Sequence, residues 1–330
     1  MEPRIVVEDL SVRFTTRRGE VHAVSHVGFE VPRGKAVGIV GETGSGKSAT
    51  VKAVMGLLPP AGRIAGGSVR LDGEELVGAS RRRLRQIRGA RLGFVGQSPF
   101  AALNPVIPIQ KQFLNALRAH SRWSAEDARA RALAMLEAAG IVEPERVLKG
   151  YAHELSGGMA QRVVIAIALS LGAEVLIADE PTTALDATVQ RQVLDTIRSL
   201  VSESERSLLI VTHDLGVVAQ YCDEVVVMYA GRVVEAGTVE GVFTSPAHPY
   251  TAGLLASIPD GNHRLIGIPG AVPTLFEEPR GCTFAPRCLH TRERCEREEP
   301  QGRAVGGSRS VRCHFSEAIR EEKHGAPVSR

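Results

Sequence analysis

The hydrophobic residues of this chain recur with two periods, one typical of β-strands and the other of α-helices. Hydrophobic and polar residues alternate in IVVEDLSVRF and again in AVSHVGFEV, and the polar stretch TTRRGEV between them predicts a turn. Apolar runs of strand length occur at residues 36–40, within EVLIADE at residues 174–180 and within SLLIVTHD at residues 207–214. Such runs indicate strands that are buried on both faces, as in a parallel sheet. The pattern therefore predicts a mixed sheet with an antiparallel layer.

Apolar residues at helical spacing occupy much of the remaining chain. They follow the first buried strand in ATVKAVMGLL and dominate residues 100–160, where Ala- and Leu-rich amphipathic segments interrupt the strand pattern. EVVVMYAGRVVEAGT predicts a hairpin with a glycine turn, whereas residues 64–67 predict a loop. We therefore expect an α/β protein with a helical insertion.

The composition is that of an ordinary globular protein, with 43% hydrophobic and 23% charged residues among 330. This length allows a full α/β core and a second small domain. A net charge of +3 gives no support for nucleic acid as a partner. The N-terminal residues show no signal-peptide pattern, and the longest apolar run, residues 163–173, is far shorter than the roughly 20 residues of a membrane span. We expect a soluble chain that reaches a membrane only through a partner.

A glycine-rich turn joins the first buried strand to the first helix. GETGSGKS at residues 41–48 has the spacing G-x-x-x-x-G-K-S in a strand–loop–helix context, which is the phosphate-binding P-loop. Backbone N–H groups and the helix dipole would bind the phosphates, Lys47 would reach the β- and γ-phosphates, and Ser48 would ligate Mg²⁺. The predicted nucleotide contacts are Gly41, Glu42, Thr43, Gly44, Ser45, Gly46, Lys47, Ser48 and Ala49.

Two carboxylates end the second buried run, EVLIADE. Asp179 would hold Mg²⁺, and Glu180 would polarise the water that attacks the γ-phosphate. Paired acids after a strand also cap helices, but the P-loop upstream favours the catalytic interpretation. His213 follows the third run; a lone histidine after a strand is usually structural, but its place in line with the other strand ends makes contact with the γ-phosphate the alternative. Phe14, at the end of the first strand, is expected either to stack on a purine or to pack in the core.

Four of the five cysteines follow residue 280, with the spacing C-x5-C-x6-C-x17-C at Cys282, Cys288, Cys295 and Cys313. The segment around them has little hydrophobic content, so a metal would help to hold it together. Zinc sites usually contain closer cysteine pairs, and the wider gaps favour an iron–sulfur cluster. Zinc and unmetallated thiols remain the alternatives.

Further motifs extend the P-loop into a longer pattern. Gln97 follows the strand-like RLGFV, LSGGMAQR occupies residues 155–162, and ALD at residues 184–186 follows EVLIADE. In this order the motifs resemble those of the ATP-binding subunits of ABC transporters, from residue 5 to about residue 320. The resemblance implies that ATP is shared between two chains arranged head to tail. The residues expected to bind the nucleotide of the second chain are Ser156, Gly157, Gly158 and Gln161.

The resemblance also implies roles for the remaining motif residues. Gln97, Glu180 and His213 would act on the γ-phosphate in catalysis. The ligands of Mg²⁺ would be Ser48, Gln97 and Asp179.

More specific stretches narrow the subfamily. SPFAALNP, EPTTALD and FTSPAHPYTAGLLASIP are similar to the D-type ATPases of dipeptide and oligopeptide importers. This resemblance implies an ATP-hydrolysing subunit at the cytoplasmic face of the inner membrane, with a [4Fe-4S] cluster on the four cysteines. The implied partners are two transmembrane permease subunits, a second and non-identical ATPase subunit, and indirectly an extracytoplasmic solute-binding protein. Nickel or another small solute is the alternative cargo, and a soluble ABC ATPase outside transport is a further alternative.

The expected fold is an α/β P-loop NTPase of the ABC type, with a RecA-like mixed sheet core, an antiparallel β layer and a helical subdomain. The nucleotide-binding domain is predicted at residues 1–265, with the helical subdomain inserted at about 98–160. A small cysteine-rich domain is predicted at residues 266–325, followed by a tail at 326–330.

Overall fold

A computed structural model describes residues 2–183, 185–202, 205–258, 267–307 and 309–317. The strands are β1 (Ile5–Thr16), β2 (Gly19–Val31), β3 (Ala36–Val40), β4 (Gly62–Leu71), β5 (Glu74–Glu75), β6 (Leu92–Val95), β7 (Val175–Asp179), β8 (Ser207–Val211), β9 (Glu224–Tyr229), β10 (Arg232–Thr238), β11 (Arg303–Ala304) and β12 (Ser310–Val311). The helices are α1 (Lys47–Val54), α2 (Arg81–Ile87), α3 (Pro99–Ala102), α4 (Ile109–Arg118), α5 (Ala125–Ala138), α6 (Pro144–Lys149), α7 (Gly157–Ser170), α8 (Ala187–Ser202), α9 (Leu215–Tyr221), α10 (Val239–Thr244), α11 (Pro249–Ala256) and α12 (Glu293–Arg297).

The described residues divide into two compact units. The first unit contains the described residues within Met1–Arg4, Val31–Ala36 and Gly78–Ile210. The second unit contains the described residues within Ile5–Glu30, Val37–Val77 and Val211–Arg330. The domain boundary predicted at 265/266, the end predicted at 325 and the tail at 326–330 lie outside the described residues. The domain limits therefore stay predictions.

In the first unit, β6, β7 and β8 lie side by side in the order β8-β7-β6. β6 and β7 are parallel, with Leu92 opposite Val175 and Val95 opposite Ala178. Every residue of β7 and of β8 is buried, which agrees with the apolar runs that predicted these strands. Parallel strands end at one edge of their sheet, so the residues that follow β6 and β7 come together there.

Helices α3–α7 confirm the predicted helical insertion. In α4, Ile109, Phe113 and Leu117 recur every four residues and are all fully buried, which gives the helix one apolar face. α5 packs against both α4 and α7, and α6 packs against α4 and α5. No helix in the described part of the chain is long and apolar enough to cross a membrane.

The second unit contains the predicted antiparallel layer, a sheet with the strand order β2-β1-β4-β5. β1 pairs with β4 from Ile5 opposite Leu71 to Phe14 opposite Gly62. The prediction of a loop at residues 64–67 is wrong, because these residues belong to β4. Glycines lower the strand propensity of this stretch, but the long partner strand β1 supplies the hydrogen bonds that extend the ladder.

The same unit contains strands in the order β11-β12-β10-β9-β3, with β3 parallel to β9. β9 and β10 form the predicted hairpin. Its two turn residues, Ala230 and Gly231, have φ angles of 45° and 78°, as a tight hairpin turn requires.

The cysteine-rich segment contributes to the core of the second unit. Phe284 is 3% exposed and belongs to one apolar cluster with Tyr229 and Tyr250. Its ring centroid lies 5.2 Å from that of Tyr229 and 5.4 Å from that of Tyr250. A separate cysteine-rich domain is therefore not confirmed, because this segment packs its aromatic residue into a core shared with β9 and α11.

Candidate functional site

The P-loop connects β3 to α1 within the second unit, and its glycines are required for close backbone contacts. Gly41 and Gly46 have φ angles of 151° and 99°. A Cβ atom on Gly41 would lie 2.2 Å from the Met228 carbonyl oxygen, and one on Gly46 would lie 2.5 Å from that of Ala23. No other residue type fits at either position without moving the backbone.

Lys47 is the first residue of α1, and its side chain turns back over the loop. Its Nζ atom donates to the carbonyl oxygens of Gly41, at 2.7 Å, and Glu42, at 3.0 Å. The side chain is buried, and Ser45 beside it is fully buried. The ammonium group is thus held inside the curl of the loop, where a phosphate chain would enter. The next two predicted contacts, Ser48 and Ala49, are half-buried in the first turn of α1.

Glu42 is bound by residues that lie more than 200 positions later in the chain. Its backbone N–H donates to the Tyr250 hydroxyl at 2.8 Å. Its carboxylate accepts two hydrogen bonds from Arg287, at 2.7 Å from Nη1 to Oε2 and 3.0 Å from Nη2 to Oε1. This hydrogen bond raises the pKa of Arg287, so its charge is permanent. Neither Tyr250 nor Arg287 was predicted as a site residue. The HPY sequence was a signal for Tyr250, and no local pattern pointed to Arg287.

A buried network fixes the segment that carries Tyr250. His248 caps α11, because its Nδ1 atom accepts from the Tyr250 N–H at 3.0 Å. The Glu235 carboxylate, in β10, accepts from the N–H groups of Ala247 and His248 at 2.9 and 3.0 Å. Arg309 pairs with the same carboxylate. Complete burial lowers the pKa of His248 to about 3, so the ring is neutral at physiological pH.

The predicted catalytic carboxylates lie in the first unit, at the edge where β6 and β7 end. Asp179 is the last residue of β7 and is buried, and Glu180 follows it with a φ angle of 50°. The Glu180 Oε2 atom accepts from Gln97 Nε2 at 3.1 Å and from Thr183 Oγ1 at 2.9 Å. The structure thus brings Gln97 and Glu180 together, as expected from strands that are parallel neighbours. Ala184, the first residue of the ALD motif, lies outside the described residues.

The LSGGMAQR motif of the first unit forms the start of α7. The Ser156 hydroxyl caps this 14-residue helix by accepting from the Met159 N–H. Gly158 is needed for space, since a Cβ atom there would lie 2.4 Å from Val189 Cγ1 of α8, and Gly157 lies against Leu185. Gln161 is 1% exposed, and its side-chain amide has no hydrogen-bond partner among the described residues.

Phe14 and His213 belong to the second unit, like the P-loop. Phe14 is half-buried, and its ring lies over Gly62 of the neighbouring strand β4, where a Cβ atom would come within 2.7 Å of the ring. His213 is exposed in the turn between β8 and α9. Asp214 after it caps α9 by accepting from the N–H groups of Gly216 and Val217.

The four C-terminal cysteines line one small cavity, together with His248, Phe284, His290, His314 and Phe315. All four are free thiols, and the Cys282 N–H donates to the Cys295 carbonyl oxygen at 2.7 Å. Burial raises the pKa of Cys282 to about 11 and also raises the pKa values of Cys288 and Cys313. Among the described residues, no three His, Cys, Asp or Glu side chains are arranged to hold a metal ion. The predicted metal site is therefore not confirmed.

Two sequence families match the chain. Residues 24–183 match the ABC transporter family, and residues 234–295 match the family described as "Oligopeptide/dipeptide transporter, C-terminal region". The chain is 44% identical over 299 residues to the oligopeptide transport ATP-binding protein OppD of Bacillus subtilis, covering 89% of this chain and 84% of OppD. The chain belongs to the ABC transporter family. It is also 43% identical over 317 residues to the dipeptide transport ATP-binding protein DppD of the same organism, covering 95% of each chain.

Solved structures of ABC cassettes share this fold. The chain is similar to the dimeric, post-hydrolysis structure of the ATP-binding cassette MJ0796 bound to ADP and Pi, with 26% identity and a TM-score of 0.64 over 71% of this chain and 98% of that one. It is also similar to CbiO1 of Clostridium perfringens, part of the CbiONQ complex, with 28% identity and a TM-score of 0.64 over 74% of this chain and 92% of CbiO1. The predicted ABC ATPase fold, a mixed α/β cassette with a P-loop, is confirmed.

Proposed function

We propose that this chain is the ATP-hydrolysing subunit of an ABC importer for dipeptides and oligopeptides. The observation that carries the proposal is the presence of both matched regions in one chain, the cassette at 24–183 and the oligopeptide/dipeptide region at 234–295. The Tyr250 hydroxyl and Arg287, both from the second region, bind the P-loop residue Glu42, so the second region and the P-loop belong to the same compact unit. Two relatives named as peptide transport ATP-binding proteins match the chain over 84% and 95% of their own length.

The reaction is hydrolysis of ATP at the bond between its β- and γ-phosphates. The P-loop N–H groups and Lys47 bind the phosphates, and Lys47 exchanges its bonds to the loop carbonyl oxygens for bonds to phosphate. Glu180 accepts a proton from the attacking water, with Gln97 holding its carboxylate at 3.1 Å.

A bound magnesium ion would neutralise charge on the β- and γ-phosphates. Its proposed ligands are Ser48, Gln97 and Asp179, an oxygen set that suits this ion. His213 completes the site by contacting the γ-phosphate, and Phe14 stacks on the adenine.

Catalysis in this proposal requires a second ATPase subunit. These 330 residues contain one P-loop and one LSGGMAQR motif, and we propose that the surface that closes over the ATP comes from that second subunit. The N-terminus of α7, with Ser156, Gly157 and Gly158, offers N–H groups and a positive dipole end to the γ-phosphate of that partner's ATP. Gln161 is proposed as a further contact of that nucleotide. We propose a partner that is a distinct, paired ATPase, as in the D-type importers.

The remaining partners are two transmembrane permease subunits, with an extracytoplasmic solute-binding protein acting through them. This part of the proposal rests on the match to the oligopeptide/dipeptide transporter region at residues 234–295. The chain would then lie at the cytoplasmic face of the cell membrane, held by the permeases.

The four C-terminal cysteines line one small cavity as free thiols. Their spacing in the sequence, with no close cysteine pair, is the reason to propose an iron–sulfur cluster rather than a single zinc ion. We propose that Cys282, Cys288, Cys295 and Cys313 hold a [4Fe-4S] cluster. Iron, sulfide and zinc analysis of the chain purified without oxygen tests this, and bound zinc or no metal would refute it.

The function is tested with the assembled complex reconstituted in proteoliposomes. Glu180→Gln should leave ATP binding intact, abolish ATP turnover and stop uptake of a labelled dipeptide or oligopeptide. Glu137→Gln is the matched control, since Glu137 is exposed on α5. Normal turnover by the Glu180 variant would refute the role of Glu180. Uptake of labelled Ni²⁺ but not of peptides would refute the peptide substrate and leave the ATPase assignment standing.

A further inference from the structure

Arg287 lies within the cysteine-rich segment, but its guanidinium group is directed at the P-loop. The side chain is 6% exposed, and it forms an ion pair with the Glu42 carboxylate, which is 31% exposed. Arg287 is the last residue of a 3₁₀ turn and lies between Cys282 and Cys288 in the chain. None of the nucleotide motifs of the family region at 24–183 contains it.

The guanidinium group is held in place by contacts within the protein. Its Nε atom donates to the Pro269 carbonyl oxygen at 2.7 Å, and Nη2 donates to that of Ile268 at 3.2 Å. The group also lies over the Tyr229 ring, 5.6 Å from the centroid. Because these contacts leave the two terminal nitrogens directed at Glu42, the fork is preorganised for one carboxylate.

Glu42 is correspondingly fixed at three points. Arg287 binds its carboxylate, Tyr250 accepts from its N–H, and its carbonyl oxygen accepts from Lys47 Nζ at 3.0 Å. The carbonyl oxygen also accepts from the Ser45 N–H at 3.1 Å. The position of Glu42 therefore affects both the curl of the loop and the Lys47 ammonium.

The negative charge of Glu42 opposes phosphate binding, and Arg287 neutralises it. A carboxylate in a phosphate-binding loop repels the phosphates of a nucleotide, and in a partly buried site that repulsion is only weakly screened. Arg287 places a permanent positive charge on this carboxylate through two hydrogen bonds. The pair is neutral, so the loop keeps a net positive end for anion binding.

We propose that Arg287 is a positioning residue for the nucleotide, which neutralises and orients Glu42 so that the P-loop can bind the phosphates of ATP. The inference rests on the proposed ATPase function, and it assigns to the oligopeptide/dipeptide region a direct part in nucleotide affinity. Arg287 acts through Glu42 and does not itself need to touch ATP.

The test measures the affinity of the full-length chain for the β,γ-imido analogue of ATP with Mg²⁺, by calorimetry. Arg287→Gln should weaken binding on the order of tenfold, the effect of about 1.4 kcal/mol of uncompensated repulsion. Arg287→Lys keeps the charge and should stay within roughly threefold of the wild type. Arg294→Gln is the matched control, because Arg294 is an arginine of the same segment that pairs with the exposed Glu298 and should bind as the wild type does.

The Glu42→Gln background separates the proposed role from a general structural one. If Arg287 acts by neutralising Glu42, the loss caused by Arg287→Gln should disappear once Glu42 is uncharged. A loss that persists in that background would show that Arg287 only supports the fold, and would overturn the proposal. So would unchanged affinity in Arg287→Gln. In the assembled complex, Arg287→Gln should raise KM for ATP and leave kcat nearly unchanged. A chain that binds the analogue as proposed but does not energise peptide uptake would refute the proposed function and not this inference.

Discussion

The buried Glu235–Arg309 pair is the contact on which the segment carrying Tyr250 depends, and Glu235→Gln tests it with little change in shape. Glu235 is fully buried, and its two oxygens accept from the N–H groups of Ala247 and His248. Arg309, which is 8% exposed, pairs with the same carboxylate. Glutamine replaces one acceptor oxygen by an NH₂ group, so one buried donor must face another whichever way the amide turns.

The magnitude follows from the charge that remains. Removing one partner of a buried ion pair costs about 3–5 kcal/mol, because the other charge stays in the interior without compensation. For a unit of roughly 150–250 residues, each kcal/mol lowers the Tm by about 2–4 °C. The Glu235→Gln variant is therefore expected to unfold about 6–20 °C below the wild type.

Thermal unfolding of the purified full-length chain, followed by circular dichroism at neutral pH, measures this difference. Glu240→Gln is the control, since Glu240 is exposed in the first turn of α10, and it should change the Tm by no more than about 2 °C. A Tm for Glu235→Gln within the range of that control would refute the reasoning, because it would mean that Arg309 is not left with an uncompensated charge.

Two further changes test other parts of the structure. Gly158→Ala would place a Cβ atom 2.4 Å from Val189 Cγ1, and we expect it to lower the free energy of unfolding by about 1–3 kcal/mol. Gly66→Ala is the control, because a Cβ atom on Gly66 meets open space and should leave the stability unchanged. Burial lowers the pKa of His248 in the folded chain to about 3, whereas an unfolded histidine keeps its ordinary pKa of about 6.5, so between these pH values the unfolded chain binds a proton and the folded chain does not. Stability from this residue is complete above pH 6.5, and about 2 kcal/mol of it is lost by pH 5. His248→Asn should reduce the fall in Tm between pH 7 and pH 5, whereas His153→Asn, at an exposed position, should not.

The parts of the fold that were predicted correctly depend on contiguous residues. The sequence EVLIADE at residues 174–180 contains the buried strand β7, because its apolar residues form a run of strand length that is buried on both faces of the sheet. The hairpin of β9 and β10 was likewise predicted from two apolar stretches joined by a glycine turn.

The error at residues 64–67 lies where a distant partner decides the local structure. These residues have the composition of a loop, yet they extend β4 because β1 offers hydrogen-bonding groups along its length. A separate cysteine-rich domain is not confirmed, since Phe284 packs into the aromatic cluster with Tyr229 and Tyr250. The role of Gln161 at a nucleotide stays a prediction, and its side chain is buried within α7.

By itself, the sequence predicted the chemistry of the nucleotide site, because the P-loop spacing and the carboxylates after β7 each depend on a few neighbouring residues. Only the tertiary structure decided what supports that chemistry. Arg287 meets Glu42 across 245 positions of the chain, and no period or motif encodes a contact over that distance. Such a pairing forms only when the packing of the folded chain offsets the entropic cost of closing the long segment between the two residues. This packing joins the cysteine-rich segment to the phosphate-binding loop.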